Sequence, residues 1–195
     1  MNCIAYDKII NCLLFSLSDL VRYDMELITR KVKEECINHR LANYLEDYTL
    51  NLLNNNKHNF NNKLSVDVEY NKNMDDRKSI NVSGNVINIR PDIIVHERRT
   101  NKNNIMAIEC KMRNQDAHAK QKLMQLASHP YNYKCCICLV YRPHHEDMKL
   151  HILNLVTREF TTQNLIKTQL LDPQQLSIIK TNIYNSQNYS LSKPT

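Results

Sequence analysis

"IRPDIIVHERRTNKNNIMAIECKMRN", residues 89–114, is the stretch on which the reading of this chain turns. Two apolar runs of strand character flank a polar connection of hairpin length, and each run carries charge that a buried strand would ordinarily exclude. Side chains of a strand alternate between faces. In the first run Ile89, Pro91, Ile93 and Val95 share one face, and Arg90, Asp92, Ile94 and His96 share the other. In the second run Ile105, Ala107, Glu109 and Lys111 lie opposite Met106, Ile108 and Cys110. Glu109 and Lys111 thus point the same way. If the runs pair with Asp92 against Glu109, two carboxylates and an ammonium meet on one patch.

Outward from that stretch, the hydrophobic period alternates between helix and strand. Residues 1–24 are expected to form a helical N-terminal extension and residues 25–50 a longer helix, with Leu27, Val32, Ile37, Leu41, Tyr44, Leu45 and Tyr48 near helical spacing. The Asn-rich residues 51–63 read as the end of that helix and a loop. Leu64, Val66, Val68 and Tyr70 then alternate with Ser65, Asp67 and Glu69, which is a strand. A loop over 71–79 leads to a second strand over 86–98 and a third over 104–112, a short antiparallel meander. Residues 116–130 read as a helix, 133–141 as a strand covered on both faces, 148–156 as a further strand and 174–184 as a last helix. The tail, 186–195, is polar and expected to be flexible. The order is helix, three strands, helix, strand (αβββαβ), an α/β fold with a central mixed sheet of four to five strands flanked by helices.

Composition removes several functions. The chain has 195 residues and one glycine, so no Gly-rich phosphate loop can be written. Seven cysteines, at 3, 12, 36, 110, 135, 136 and 138, show no paired C-x-x-C halves and read as reduced, mostly core residues of a cytoplasmic protein. Residues 9–21 are too short and polar for a membrane span, and no membrane partner is expected. A net charge of +6 is compatible with a polyanionic partner.

Two neighbouring carboxylates repel, and one would stay protonated unless a cation sits between them. Mg²⁺ takes one or two carboxylates together with water and substrate phosphate, and it can polarise a phosphoryl oxygen and acidify a bound water. This arrangement resembles the PD-(D/E)XK nuclease superfamily. Pro91-Asp92 stands as the family's PD and Glu109-Cys110-Lys111 as its ExK, and the element order over about 30–142 is similar to the family core. "RLANYLE", "VDVEYN" and "RPDIIVHERR" also look like a branch of small stand-alone members. The resemblance implies a single restriction-endonuclease-like domain over 1–185. It implies Mg²⁺, with Mn²⁺ as a substitute, held by Asp92, Glu109 and the carbonyl of Cys110, with Lys111 assisting the attacking water.

Many members add a glutamate from the first helix. Glu34 is preferred over Glu35 because it shares the apolar stripe with Ile37 and Leu41. Asp147-Met148-Lys149 also fits the short motif, but it follows a loop and lacks a PD strand one hairpin earlier. Arg90, His96 and Arg98 around the first run, and Lys120 and Lys122 on the following helix, are candidate phosphate contacts. Arg98, Lys120 and Lys122 also read as ordinary surface residues. Glu69 either lines the same cleft or faces solvent, and a second metal site at His144-His145-Glu146 is disfavoured.

The leading expectation is a Mg²⁺-dependent nuclease acting on nucleic acid, with DNA favoured over RNA. The alternative is a nuclease-like fold that binds nucleic acid or a protein partner without cleaving. A third reading takes the apolar residues 9–21 as a homodimer contact, which is compatible with either.

Overall fold

The computed structural model describes residues 6–55, 64–82, 84–114 and 117–188. Two helices open the chain, α1 (Tyr6–Thr29) and α2 (Glu34–Asn55). The boundary expected at 24/25 is displaced. Asp24 is only a kink inside α1, with non-helical backbone (φ −130°, ψ 17°). The helix ends five residues later, where Lys31 takes left-handed backbone (φ 54°). The Lys31 N–H then bonds Ile28 O at 3.1 Å and the Val32 N–H bonds Leu27 O at 3.0 Å. That pair of bonds satisfies carbonyls a helix end would otherwise orphan, at a position where glycine is usual. The Asp24 carboxylate accepts from Arg40 Nε (2.9 Å) and Tyr44 OH (2.6 Å), tying the kink to α2.

The strands are β1 (Leu64–Val68), β2 (Lys72–Asn73), β3 (Asp76–Arg77), β4 (Ser79–Val82), β5 (Asn85–Asn88), β6 (Ile93–Glu97), β7 (Met106–Lys111), β8 (Cys135–Val140), β9 (Asp147–Leu153) and β10 (Phe160–Ile166). Helix α3 (Ala117–Leu126) connects β7 to β8, and a short 3-10 turn (Gln169–Leu171) precedes α4 (Pro173–Asn188). Among the described residues the protein is mixed α/β with four helices. Its main sheet has six strands in the order β1-β6-β7-β8-β9-β10, more than the four to five expected. Only β7–β8 is parallel, as the intervening α3 crossover requires.

The added strand is β10, whose residues are half-buried or exposed apart from Leu165. The single strand expected over 86–98 is two. β5 pairs with β4 in a separate hairpin, and β6 begins only after Pro91. Proline has no N–H to give a ladder. Gly84, the only glycine, sits at φ +87° between β4 and β5, where a tight hairpin turn needs left-handed backbone. α4 continues through Asn188, into the stretch expected to be loose; the remainder of that tail lies outside the described residues.

The sheet separates two cores. Ile93, Val95, Ile108, Cys110, Ile137 and Leu139 face α1, α2 and α4. Ile94, Ala107, Cys136, Cys138 and Val140 face α3 and the β4–β5 hairpin. This is the alternation expected within β6 and β7, but Ile89, expected on the Ile93 face, packs with Ile94, and Ile105, expected beside Ala107, packs with Met106 and Ile108. All six residues of β8 are buried, so the cysteine cluster is core packing. α1 is no detached extension: Ile9, Ile10, Leu13, Leu14, Leu17, Leu20 and Val21 are buried within this chain. Most of the apolar run read as a dimer contact is thus buried within the chain, with Phe15 left exposed. Among the described residues no helix is long and apolar enough to cross a membrane.

Candidate functional site

The ladder between β6 and β7 pairs Ile93 with Ile108 and Ile94 with Ala107, so Asp92 and Glu109 are the next residues in register. Asp92 lies just ahead of β6. Its Oδ2 accepts the Cys110 N–H at 2.6 Å, and its carbonyl accepts the Glu69 N–H at 3.1 Å. The proline before it offers no N–H, and the aspartate side chain takes the place of a strand carbonyl. A carboxylate held by a backbone N–H is fixed in position and cannot drift into solvent.

Glu109 is 2% exposed. Its Oε2 meets Lys122 Nζ at 2.6 Å, while its Oε1 is buried with no hydrogen-bond partner. Burial, and then the charge of Asp92, push the Glu109 carboxyl up to about 8 against the lowering by Lys122 and Lys111. Such a strained ionisable group is costly to keep, and groups of this kind concentrate at functional sites.

Lys111 ends β7 half-buried, with Nζ 4.0 Å from Glu34 Oε1. Glu34 is the first residue of α2 and faces the sheet, whereas Glu35 beside it is exposed. Burial raises the Glu34 carboxyl; Lys111 opposes that rise and Asp92 adds to it. Asp92, Glu109, Lys111 and Glu34 therefore form one electrostatic cluster at the β6–β7 end facing the α2 N-terminus.

Other candidates divide. Lys122 is 8% exposed and joins the cluster, also donating to the Arg90 carbonyl at 2.9 Å. It is one of the four buried residues of α3, with Ala119, Leu123 and Leu126. Read from the sequence as an ordinary surface lysine, it is instead buried and paired with Glu109. Lys120 points away, its ammonium 5.3 Å from the Phe160 ring centroid. His96, expected near phosphate, is buried and bonded to Asp67 Oδ2 at 2.9 Å. Arg98 is exposed, yet it is spent on the same Asp67 carboxylate. Burial would raise Asp67, but the bonds from Arg98 and His96 hold it well below the usual carboxylate range. The register alone hides this cluster, because Ser65, not Asp67, is the cross-strand partner of His96. Arg90 is exposed and pairs with Glu69 at 3.1 Å, so Glu69 borders the site through that arginine. His145 bonds Arg142, and Arg142 also holds Asp147, the first residue of β9.

Two carboxylates and a strand carbonyl are hard oxygen donors of the kind Mg²⁺ accepts, and the orphaned Glu109 Oε1 is an available acceptor. Among the described residues no three His, Cys, Asp or Glu side chains form a cage by themselves. The set fits the ion. Cys110 could contribute only through its carbonyl, since its thiol is fully buried and accepts from Tyr141 OH at 3.5 Å. No family model, curated protein or solved structure matches this chain, so its own residues carry the functional reading.

Proposed function

We propose that the chain is a metal-dependent phosphodiesterase of the PD-(D/E)XK type acting on nucleic acid, with DNA favoured. The observation that carries this is Glu109, a buried carboxylate with one oxygen unsatisfied, set beside Asp92 and within the field of Lys111. A carboxylate that serves only packing would be paired on both oxygens or replaced by an apolar residue. Support also comes from the helix-strand-strand-strand-helix-strand sequence α2, β1, β6, β7, α3, β8, which is that of the superfamily core with β2–β5 inserted.

Mg²⁺ held by Asp92, Glu109 and the Cys110 carbonyl would polarise the phosphoryl oxygen and supply an acidified water. Asp92 is kept in place for this by the Cys110 N–H. Lys122 holds Glu109 and ties it to the backbone of Arg90. Lys111, its ammonium 4.0 Å from Glu34, would orient a water and balance charge developing on phosphate. Glu34 sets the position of that ammonium. The +6 net charge favours encounter with a polyanion.

A binding module without cleavage is the second reading, and the Lys122–Glu109 contact favours it, because a lysine already neutralises one ligand oxygen. A panel of plasmid, linear duplex, single-stranded DNA and RNA, incubated with Mg²⁺, Mn²⁺ or EDTA, separates the two. Metal-dependent cutting that EDTA abolishes supports the enzyme. Intact substrates throughout, with no heat of metal binding, leave the binding module.

A further inference from the structure

The insertion between β1 and β6 builds a second feature that the carboxylate cluster does not use. β2–β3 and β4–β5 stand as two small hairpins beside the main sheet. Between them opens a cavity of about 300 Å³, lined by Asn71, Arg77, Lys78, Asn88, Ile89 and Arg90. Three of those six residues are cationic, two are carboxamides and none is acidic. At about 30 Å³ per water, the space holds on the order of ten waters, far more than a packing defect.

Lys78 makes the arrangement unusual. It is 2% exposed, yet among the described residues its ammonium meets no carboxylate. Nζ lies 4.7 Å from the Tyr131 ring centroid, 5.4 Å from Tyr133 and 5.9 Å from Tyr70. Among the described residues its polar side-chain contact is Tyr133 OH, at 3.4 Å. Burial lowers this lysine to about 8. A buried cation left with rings and a phenol retains unspent attraction for an anion. Tyr131 fixes the hairpin alongside, its hydroxyl accepting the Ser79 N–H at 2.8 Å and donating to the Ser79 carbonyl at 2.7 Å. The pocket is therefore a braced part of the fold.

It also adjoins the proposed active site. Arg90 stands in its lining two residues before Asp92, and the Arg90 carbonyl and Glu109 share Lys122. Among the described residues Glu69 is the acid ion-paired with the lining, through Arg90, so two cations against none remain.

We infer that this pocket is a phosphate-binding subsite, seating a phosphate group of the nucleic-acid strand next to the one brought to Asp92 and Glu109. The inference rests on the nucleic-acid reading above and extends it to residues of the insertion. A terminal 5′-phosphate and an internal backbone phosphate present the same chemistry, and the strand end distinguishes them.

The test is fluorescence anisotropy of a 3′-labelled oligonucleotide, carrying either a 5′-phosphate or a 5′-hydroxyl, across a KCl series in EDTA. The parent is compared with Arg77→Glu and, as a second variant on an exposed residue, Asn88→Asp; thermal melting confirms that each is folded. Each variant is expected to bind at least tenfold more weakly, with the log–log salt dependence shallower by about one phosphate contact. A loss confined to the 5′-phosphorylated probe assigns the pocket to the strand terminus, and an equal loss with both probes assigns it to an internal phosphate. Unchanged affinity and salt slope in both folded variants would overturn the inference, as would failure of the parent to bind either probe. Cleavage scored separately with Mg²⁺ keeps the two claims apart. Arg77-dependent binding without cutting sinks the nuclease and leaves the subsite standing. Cutting with binding indifferent to both substitutions sinks the subsite alone.

Discussion

Glu109→Gln separates a carboxylate retained for chemistry from one retained for stability. In the folded chain burial and Asp92 raise Glu109 to about 8, so protonation is favoured there long after the unfolded chain has ionised. The sign follows: folding takes up a proton between the ordinary carboxylate range and about 8, and stability falls as pH rises through that window. Each unit is worth about 1.4 kcal/mol, which places the penalty near 3 kcal/mol at pH 7 and close to zero at pH 4.5. Glutamine mimics the neutral form and escapes the penalty. Lys122 faces a neutral group in either case at pH 7 and keeps the Arg90 carbonyl. The net expectation at pH 7 is a variant about 3 kcal/mol more stable, a rise in Tm of roughly 6–12 °C for a chain of this size. Urea unfolding and thermal melts in EDTA at pH 4.5 and 7 measure it. Added Mg²⁺ should then stabilise the parent and leave the variant unmoved. A variant less stable than the parent at pH 7, or a difference of the same size at both pH values, would refute the reasoning and make the Lys122 pair structural.

Three further outcomes follow from the geometry. Asp92→Asn keeps an acceptor for the buried Cys110 N–H and should abolish metal binding by calorimetry at near-parental stability, whereas Asp92→Ala orphans that N–H and should also lose about 1–3 kcal/mol. His151, buried and bonded to Thr162 Oγ1 at 2.8 Å, is lowered to about 4 by burial and then by Lys120 and Lys149. A depressed base destabilises the fold as pH falls from about 6.5 to 4, by roughly 3 kcal/mol in all, and His151→Gln should flatten the urea-unfolding profile across that window. Leu17→Ala should cost about 2–5 kcal/mol, equally at low and high protein concentration, because Leu17 is fully buried within its own chain; a concentration-dependent loss would return α1 to a dimer interface.

Strong periodicity was legible and weak periodicity was not. β6, β7 and β8 are runs of branched and apolar residues, and their faces fall where alternation puts them. β10, with its Thr, Gln and Asn residues at the sheet edge, has too little buried surface to print a pattern. β5 hid because Val86 and Ile87 are apolar yet exposed, and they seemed to continue into β6. At the site, Asp92, Glu109, Lys111 and Glu34 could be found because strand alternation and helix spacing constrain them. The burial of Lys122 and the diversion of His96 and Arg98 to Asp67 depend on which long side chains reach one another across elements, and spacing along one element does not carry that. The Lys78 pocket depends on a whole insertion being folded back onto Tyr131 and Tyr133.

The central claim is that the charges at the end of β6 and β7 form a hydrolytic site. Lys111→Ala tests it most directly, through single-turnover cleavage of the substrate the parent cuts, with saturating Mg²⁺ and protein in excess. Lys111 is half-buried at the end of β7, 4.0 Å from Glu34, and thermal melting and binding anisotropy beside the cleavage assay check that folding and substrate affinity stay close to parental. The expected result is a rate lower by at least about 100-fold. Cleavage at the parental rate would contradict the assignment of Asp92, Glu109 and Lys111 as the catalytic set.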